Sequence, residues 1–261
     1  MPARGKETYS IHSVENALAL LEALCEEGEE VSLSSLSQRL GMTKASLFRL
    51  LATFESHGYV EREPGSRKYQ LGMAAYEMGQ KFLSNMNLLR KARPVMEHIA
   101  RNLNEAIYLV VRRGNEVLFL DMVDSSQHVK IAPLVGRRFP IEKTAAGKLF
   151  LALSPPPPTQ GPGRPRTATI PPIGPEEIAS LRQQGYCVDQ GSIGEQTTSV
   201  ATALFKGSGE IAGVLTLLGP DFRMTDDEID RHLLPALITA SEIISSQLGY
   251  LGHVLGDKRL S

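Results

Sequence analysis

The chain has 261 residues, 42% apolar and 22% charged, with a formal net charge of −1. This is a globular composition, sufficient for one large or two ordinary domains, and it holds no apolar run near the roughly 20 residues that cross a bilayer. Two cysteines exclude a disulfide framework, and a near-neutral total requires any nucleic-acid contact to use a small cationic face rather than bulk charge.

Residues 1–10 read as a polar, flexible tail without the apolar core of a secretion signal, which fits a cytoplasmic protein. Ser13–Glu26 then repeats apolar residues at helical spacing (Val14, Ala17, Leu18, Leu21, Leu24 and Cys25) and stops at Gly28. Both Cys25 and Cys187 are expected as small buried apolar groups. Ser32 caps a short helix, Leu33–Leu40, and Gly41-Met42 makes a tight turn. Thr43 caps a third helix running to about His57-Gly58, with Leu47, Leu50, Leu51 and Phe54 facing inward. Tyr59–Glu63 and Lys68–Gly72 are predicted strands around the turn Pro64-Gly65-Ser66.

Residues 73–104 are predicted helical, in two pieces broken near Pro94. Alternating segments follow at Ala106–Arg112, Val117–Val123 and Val129–Leu134, the first pair joined by the hairpin signal Gly114-Asn115. Thr144 caps the helix Ala145–Leu153. The Pro- and Gly-rich stretch 154–175 reads as a surface loop. A helix at Glu176–Gln184 ends at Gly185, and strands fit Tyr186–Asp189, Ser199–Phe205 and Ile211–Leu218. Thr225 begins a long helix to about Leu251, with Ile229, Leu233, Ala236, Ala240, Ile243 and Leu248 as its apolar face and Pro235 as a point of bending. Residues 252–261 form a tail.

Three short helices followed by a hairpin describe a winged helix-turn-helix over 11–72. The outer face of the third helix carries Ala45, Arg49, Ala52 and Ser56, flanked by Ser46 and Thr53: small and polar residues that allow close docking to a duplex. Arg49 is the long donor suited to base edges, or else a surface ion-pair partner. Thr43 and Lys44, at the helix start, suit phosphate. Arg62, Arg67 and Lys68 place cations on the wing, and residues 39–71 hold six cations against three anions. A protein-interaction module is the alternative for this unit.

The rest of the chain has no metal-ligand spacing, nucleophile elbow or phosphate-binding loop, and its six histidines (among them His128 and His253) are scattered. Neither a catalytic residue, nor a metal, nor a cofactor is expected. A mixed α/β domain holding a small ligand fits better than an enzyme with an accessory head, although that second reading stays open. The helix start Lys143–Lys148 offers exposed N–H groups for a carboxylate, or simply packs tightly under its Thr144 cap.

Several segments together resemble the IclR family of bacterial transcriptional regulators over roughly residues 10–250. They are Gly41-Met42-Thr43-Lys44-Ala45-Ser46-Leu47-Phe48-Arg49-Leu50-Leu51, Tyr69-Gln70-Leu71-Gly72, Gly136-Arg137-Arg138-Phe139-Pro140, Thr144-Ala145-Ala146-Gly147-Lys148, Gly185-Tyr186-Cys187-Val188-Asp189 and Leu248-Gly249. The resemblance implies an α/β (α+β) protein: a winged helix-turn-helix over 11–72, a linker helix over 73–92 and a GAF-like effector domain over 93–251. It further implies a homodimer or homotetramer, away from any membrane, binding double-stranded operator DNA, most simply as a repressor, under control of a small organic-acid or aromatic effector. By the same resemblance, DNA contacts fall on Thr43, Lys44, Ala45, Ser46, Phe48, Arg49, Thr53, Arg62, Arg67 and Lys68. Effector contacts fall on His128, Ala145, Ala146, Asp189, Ser199, Thr216 and Leu218. Several features depart from the family's pattern. Ser199 stands where Cys is common, Thr216 and Leu218 where Ser is common, His128 where an apolar residue is usual, and Ala203 where Pro is usual. The Pro-rich segment 154–175 reads as shorter and less helical than the family's connection.

Overall fold

A computed structural model describes residues 11–27, 30–154 and 173–252. The expected tails, the helix end at Gly28, His253 and nearly all of the Pro-rich stretch lie outside the described residues. The chain divides into two compact units between Asn85 and Met86.

The first unit opens with α1 (His12–Glu27), β1 (Val31–Ser32), α2 (Leu33–Leu40) and α3 (Lys44–Ser56). Its caps are the ones the local sequence predicts. Ser32 Oγ accepts from the Ser35 amide at 3.1 Å, and Thr43 Oγ1 accepts from the Ser46 amide at 3.2 Å. Gly41 ends α2 at φ +64°, the left-handed conformation glycine adopts without steric cost. A hairpin follows, β2 (Val60–Arg62) and β3 (Lys68–Leu71), and β1 adds to the free side of β3 through Val31↔Tyr69. Leu20, Ala23, Leu24, Leu36, Leu47, Leu51, Val60 and Tyr69 close the core.

The inner face of α1 is therefore rotated from the expected one. Leu20, Ala23 and Leu24 are buried, whereas Val14 and Leu18 are exposed, and Cys25 is exposed rather than buried. The helix is apolar on two sides, so spacing alone does not choose between them.

α4 (Met73–Asn85) completes this unit and α5 (Asn87–Leu103) begins the next. The break falls at Met86, not near Pro94, which sits within α5. Residues 86–92 of the expected linker belong to the second unit by their contacts.

The second unit is built on a six-stranded sheet in the order β6-β5-β4-β9-β8-β7, every neighbouring pair antiparallel. Its strands are β4 (Ala106–Arg113), β5 (Glu116–Val123), β6 (Arg138–Pro140), β7 (Tyr186–Gln190), β8 (Thr197–Phe205) and β9 (Ile211–Pro220). The expected strand at Val129–Leu134 is instead a loop. The edge place beside β5 is taken by β6, through Val117↔Phe139.

Alternation along the strands sends side chains to two cores, one on each face. On one face Ile107, Leu109, Leu215 and Leu217 meet α5 and the C-terminal helices. Those helices are α8 (Asp226–Glu228), a π turn at Ile229–Leu233 and α9 (Leu234–Gln247). Ile229, Leu233, Leu237, Ala240 and Ile244 form the buried stripe. Ile243, expected inside, is 45% exposed, because the π turn inserts a residue and advances the inward face by one position.

On the opposite face Tyr108, Val110, Ala201, Val214 and Leu218 pack against α6 (Ala145–Leu153) and α7 (Pro175–Gln184).

Candidate functional site

Two groups of side chains bear on function, one exposed and one buried. The first is the outer face of α3. Leu47 and Leu51 anchor the helix, so Lys44, Ala45, Ser46, Phe48, Arg49, Ala52, Thr53 and Ser56 all point into solvent. Phe48 is 53% exposed in spite of its apolar ring. Among the described residues, Lys44, Arg49, Arg62 and Arg67 have no carboxylate partner, which removes the ion-pair reading of Arg49. On the hairpin the Arg62 guanidinium lies over the Tyr69 ring at 5.9 Å, and Lys68 stands 3.8 Å from Glu30. Arg62 and Arg67 line a groove with Glu55, Glu63, Pro64 and Gly65. The structure thus leaves all ten residues of the expected DNA set exposed on one unit.

The second group lies on the α6 face of the sheet. Strand register aligns it in two rows. One runs Ala106↔Leu218↔Ser199↔Asp189, and the next runs Tyr108↔Thr216↔Ala201↔Cys187. α6 crosses above these rows. Its start is held by Thr144 Oγ1, which accepts from the Gly147 amide at 3.0 Å, leaving the Ala145 and Ala146 amides as the uncapped donors. Gly147 is required there: a Cβ would stand 1.8 Å from the Ile141 carbonyl oxygen. That close approach fixes where the helix begins relative to the sheet.

Asp189 is 9% exposed and divided in its contacts. Its Oδ2 accepts from the Lys148 Nζ at 3.1 Å, and its backbone carbonyl accepts from Ser199 Oγ at 3.4 Å. Lys148 also stands 3.2 Å from Glu177 on α7. Burial pulls the Lys148 pKa down, but its bonds to Asp189 and Glu177 more than offset that, so the net shift is upward.

Four buried side-chain oxygens among the described residues have no hydrogen-bond partner: Tyr108 OH, Asp189 Oδ1, Thr216 Oγ1 and Thr202 Oγ1. By strand parity the first three share the α6 face. A buried polar group left unmet costs about 1–3 kcal/mol, so two hydroxyls and one carboxylate oxygen on one face make it the candidate place for a polar ligand. Burial also pushes the Tyr108 phenol up to about 12; the nearby Leu134 amide offsets part of this without making a well-formed bond.

Of the seven expected effector residues, Ala145, Ala146, Asp189, Ser199, Thr216 and Leu218 are buried on this face. His128 is exposed, on the loop between β5 and β6. Tyr108, absent from that set, carried one signal: it shares strand parity with Ala106 and Val110. Lys148 was visible only as part of a motif, and its partners at Glu177 and Asp189 are far along the chain.

The loop between β5 and β6 is tied down from outside. Arg223 forms a two-pronged pair with the buried Glu105 and donates to the Val129 carbonyl at 2.9 Å, and Asn104 Oδ1 accepts from Ser126 Oγ at 2.7 Å. Among the described residues, no group of His, Cys, Asp and Glu is placed to hold a metal, and no helix is long and apolar enough to cross a membrane.

Known proteins match this arrangement over both units. The family model for the IclR helix-turn-helix domain matches residues 13–64, and that for the bacterial transcriptional regulator IclR C-terminal matches residues 80–246. The HTH-type transcriptional regulator KdgR of Dickeya chrysanthemi is 31% identical over 254 residues, covering 94% of this chain and 82% of the relative. A crystal structure of an IclR-type regulator from Silicibacter sp. TM1040 has a TM-score of 0.72 at 27% identity, covering 91% of this chain and 96% of that one. An IclR homologue from Microbacterium hydrocarbonoxydans, solved with 4-hydroxybenzoate, has a TM-score of 0.71 at 24% identity, covering 90% and 98%, and shows the same fold.

Proposed function

Because this chain belongs to the IclR family of bacterial transcriptional regulators, we propose that it is a repressor whose hold on its operator is set by a small organic or aromatic acid. The family assignment makes it a DNA-binding regulator with an effector-binding C-terminal domain, and not an enzyme. The observation that carries the DNA-reading part is the outward face of α3, open to solvent, lined with small residues and, among the described residues, without an ion pair at Arg49. Arg49 reaches base edges; Ala45, Ser46, Phe48 and Thr53 make the close contact around it. Thr43 and Lys44 meet a phosphate at the start of α3, and Arg62, Arg67 and Lys68 meet the backbone beside it.

In the effector domain, the Ala145 and Ala146 amides take the acid's carboxylate, with Asp189, Ser199, Thr216 and Leu218 around it and His128 arriving from its loop. The 4-hydroxybenzoate bound by the Microbacterium protein belongs to this chemical class. The working parts are a head over 11–72, a linker over 73–92 and an effector domain over 93–251, in a cytoplasmic protein. α4 has no buried residue and exposes Met73, Tyr76, Met78 and Phe82. Exposed apolar side chains on two sides of one helix support a second copy as their cover, hence a homodimer or homotetramer.

The test is a gel shift of full-length protein on its own upstream DNA, at two salt concentrations, with and without a panel of carboxylic acids. Affinity that falls with salt and changes with at least one acid is expected. Binding insensitive to both overturns the reading.

A further inference from the structure

Tyr108 is fully buried, yet its hydroxyl has no hydrogen-bond partner. It does not stand alone. Thr216, its register partner on β9, is 1% exposed and its hydroxyl is equally unmet. The two lie on adjacent strands and on the same face, in the row next to the one that ends at Asp189. Tyr108 to Asp189 spans three strand spacings, about 14 Å across the sheet before any curl. One small carboxylate at the α6 helix start therefore does not reach all of these oxygens.

The surroundings of Tyr108 fix what it can do. Phe119 meets its ring edge-on, with centroids 5.3 Å apart, and Phe139 continues the stack at 5.3 Å. The ring is therefore held, and the hydroxyl has one position in which to find a partner. Burial keeps that hydroxyl protonated at any physiological pH, so it is a standing donor.

We propose that Tyr108 is a specificity-determining residue of the effector site. Its hydroxyl, beside that of Thr216, binds an oxygen that the effector carries in addition to its carboxylate. The proposal rests on the reading of this face as the effector site. It narrows the effector class from organic acids in general to hydroxy or oxo acids. A site built to hydrogen-bond a ligand oxygen rejects the analogue lacking it, because the buried hydroxyls are then left unmet.

The experiment uses matched acids: benzoate with 4-hydroxybenzoate, and pentanoate with 5-hydroxypentanoate. Each is titrated by calorimetry into full-length wild type, Tyr108→Phe and Thr216→Val. The wild type is expected to bind the hydroxylated member of at least one pair tenfold or more tightly than its parent. Tyr108→Phe is expected to bring that ratio to within about twofold. Thr216→Val is expected to reduce the ratio in part. A ratio near one in the wild type overturns the proposal, and so does a ratio that survives Tyr108→Phe. A phenol satisfied by ordered water alone gives that second result, with Tyr108→Phe lowering thermal stability instead. If none of the four acids binds, the underlying effector-site reading falls with the proposal. If the parent acids bind without preference, only the proposal falls.

Discussion

At the scale of single residues, Asp189 has one oxygen in a structural contact and one left for the proposed recognition. Its Oδ2 is held by Lys148, while Oδ1 is unmet. Asp189→Ala is expected to alter the response of DNA binding to effector and leave the ligand-free protein's DNA affinity intact; equal loss of both in a gel shift contradicts this. Cys187 and Tyr108 give the unit a directional response to alkali. Burial raises both, Cys187 from 9.0 to about 12 and Tyr108 from 10.0 to about 12. The folded chain keeps these protons where the unfolded chain has released them. Their contribution to stability is whole below pH 9 and declines from there to about pH 12. Thermal melts across that range are expected to show falling stability, and Cys187→Ala is expected to flatten the slope between pH 9 and 10.

At the scale of elements, the start of α6 rests on two residues. Thr144→Ala removes the cap on the Gly147 amide and is expected to cost about 1 kcal/mol in denaturant unfolding. Gly147→Ala sets a methyl against the Ile141 carbonyl and is expected to cost about 3 kcal/mol or more. Equal and small effects would show that the helix start is free to shift. Signals confined to a few neighbouring residues were the readable ones. The caps at Ser32, Thr43, Thr144 and Thr225 and the Gly114-Asn115 turn stand where the local sequence places them. Features set by distant partners were not readable. α1 offers two apolar sides, and only its neighbours choose Leu20 and Leu24 over Val14 and Leu18. Val129–Leu134 has a strand-like pattern, but the place beside β5 is taken by Arg138–Pro140. Within the candidate site, the α6 motif was legible; the opposition of Tyr108 and Thr216 depends on which strands pair, which no local pattern states.

At the scale of the whole molecule, regulation requires the effector to bind one state of the protein better than another, since equal affinity shifts nothing. The exposed apolar side chains of α4 are the surface proposed for a second copy. Sedimentation is expected to show a dimer or tetramer, and Phe82→Ser a shift toward monomer; a wild-type monomer at micromolar concentration contradicts this. The proposed regulation depends on α3 entering a duplex through Arg49. The direct measurement is the affinity of wild type and Arg49→Ala for a duplex that the wild type selects from a random pool, set against an unselected duplex at the same salt. Arg49→Ala is expected to lose about 1–3 kcal/mol on the selected duplex and little on the unselected one. An Arg49→Ala protein that holds the selected duplex as tightly as the wild type would contradict the account.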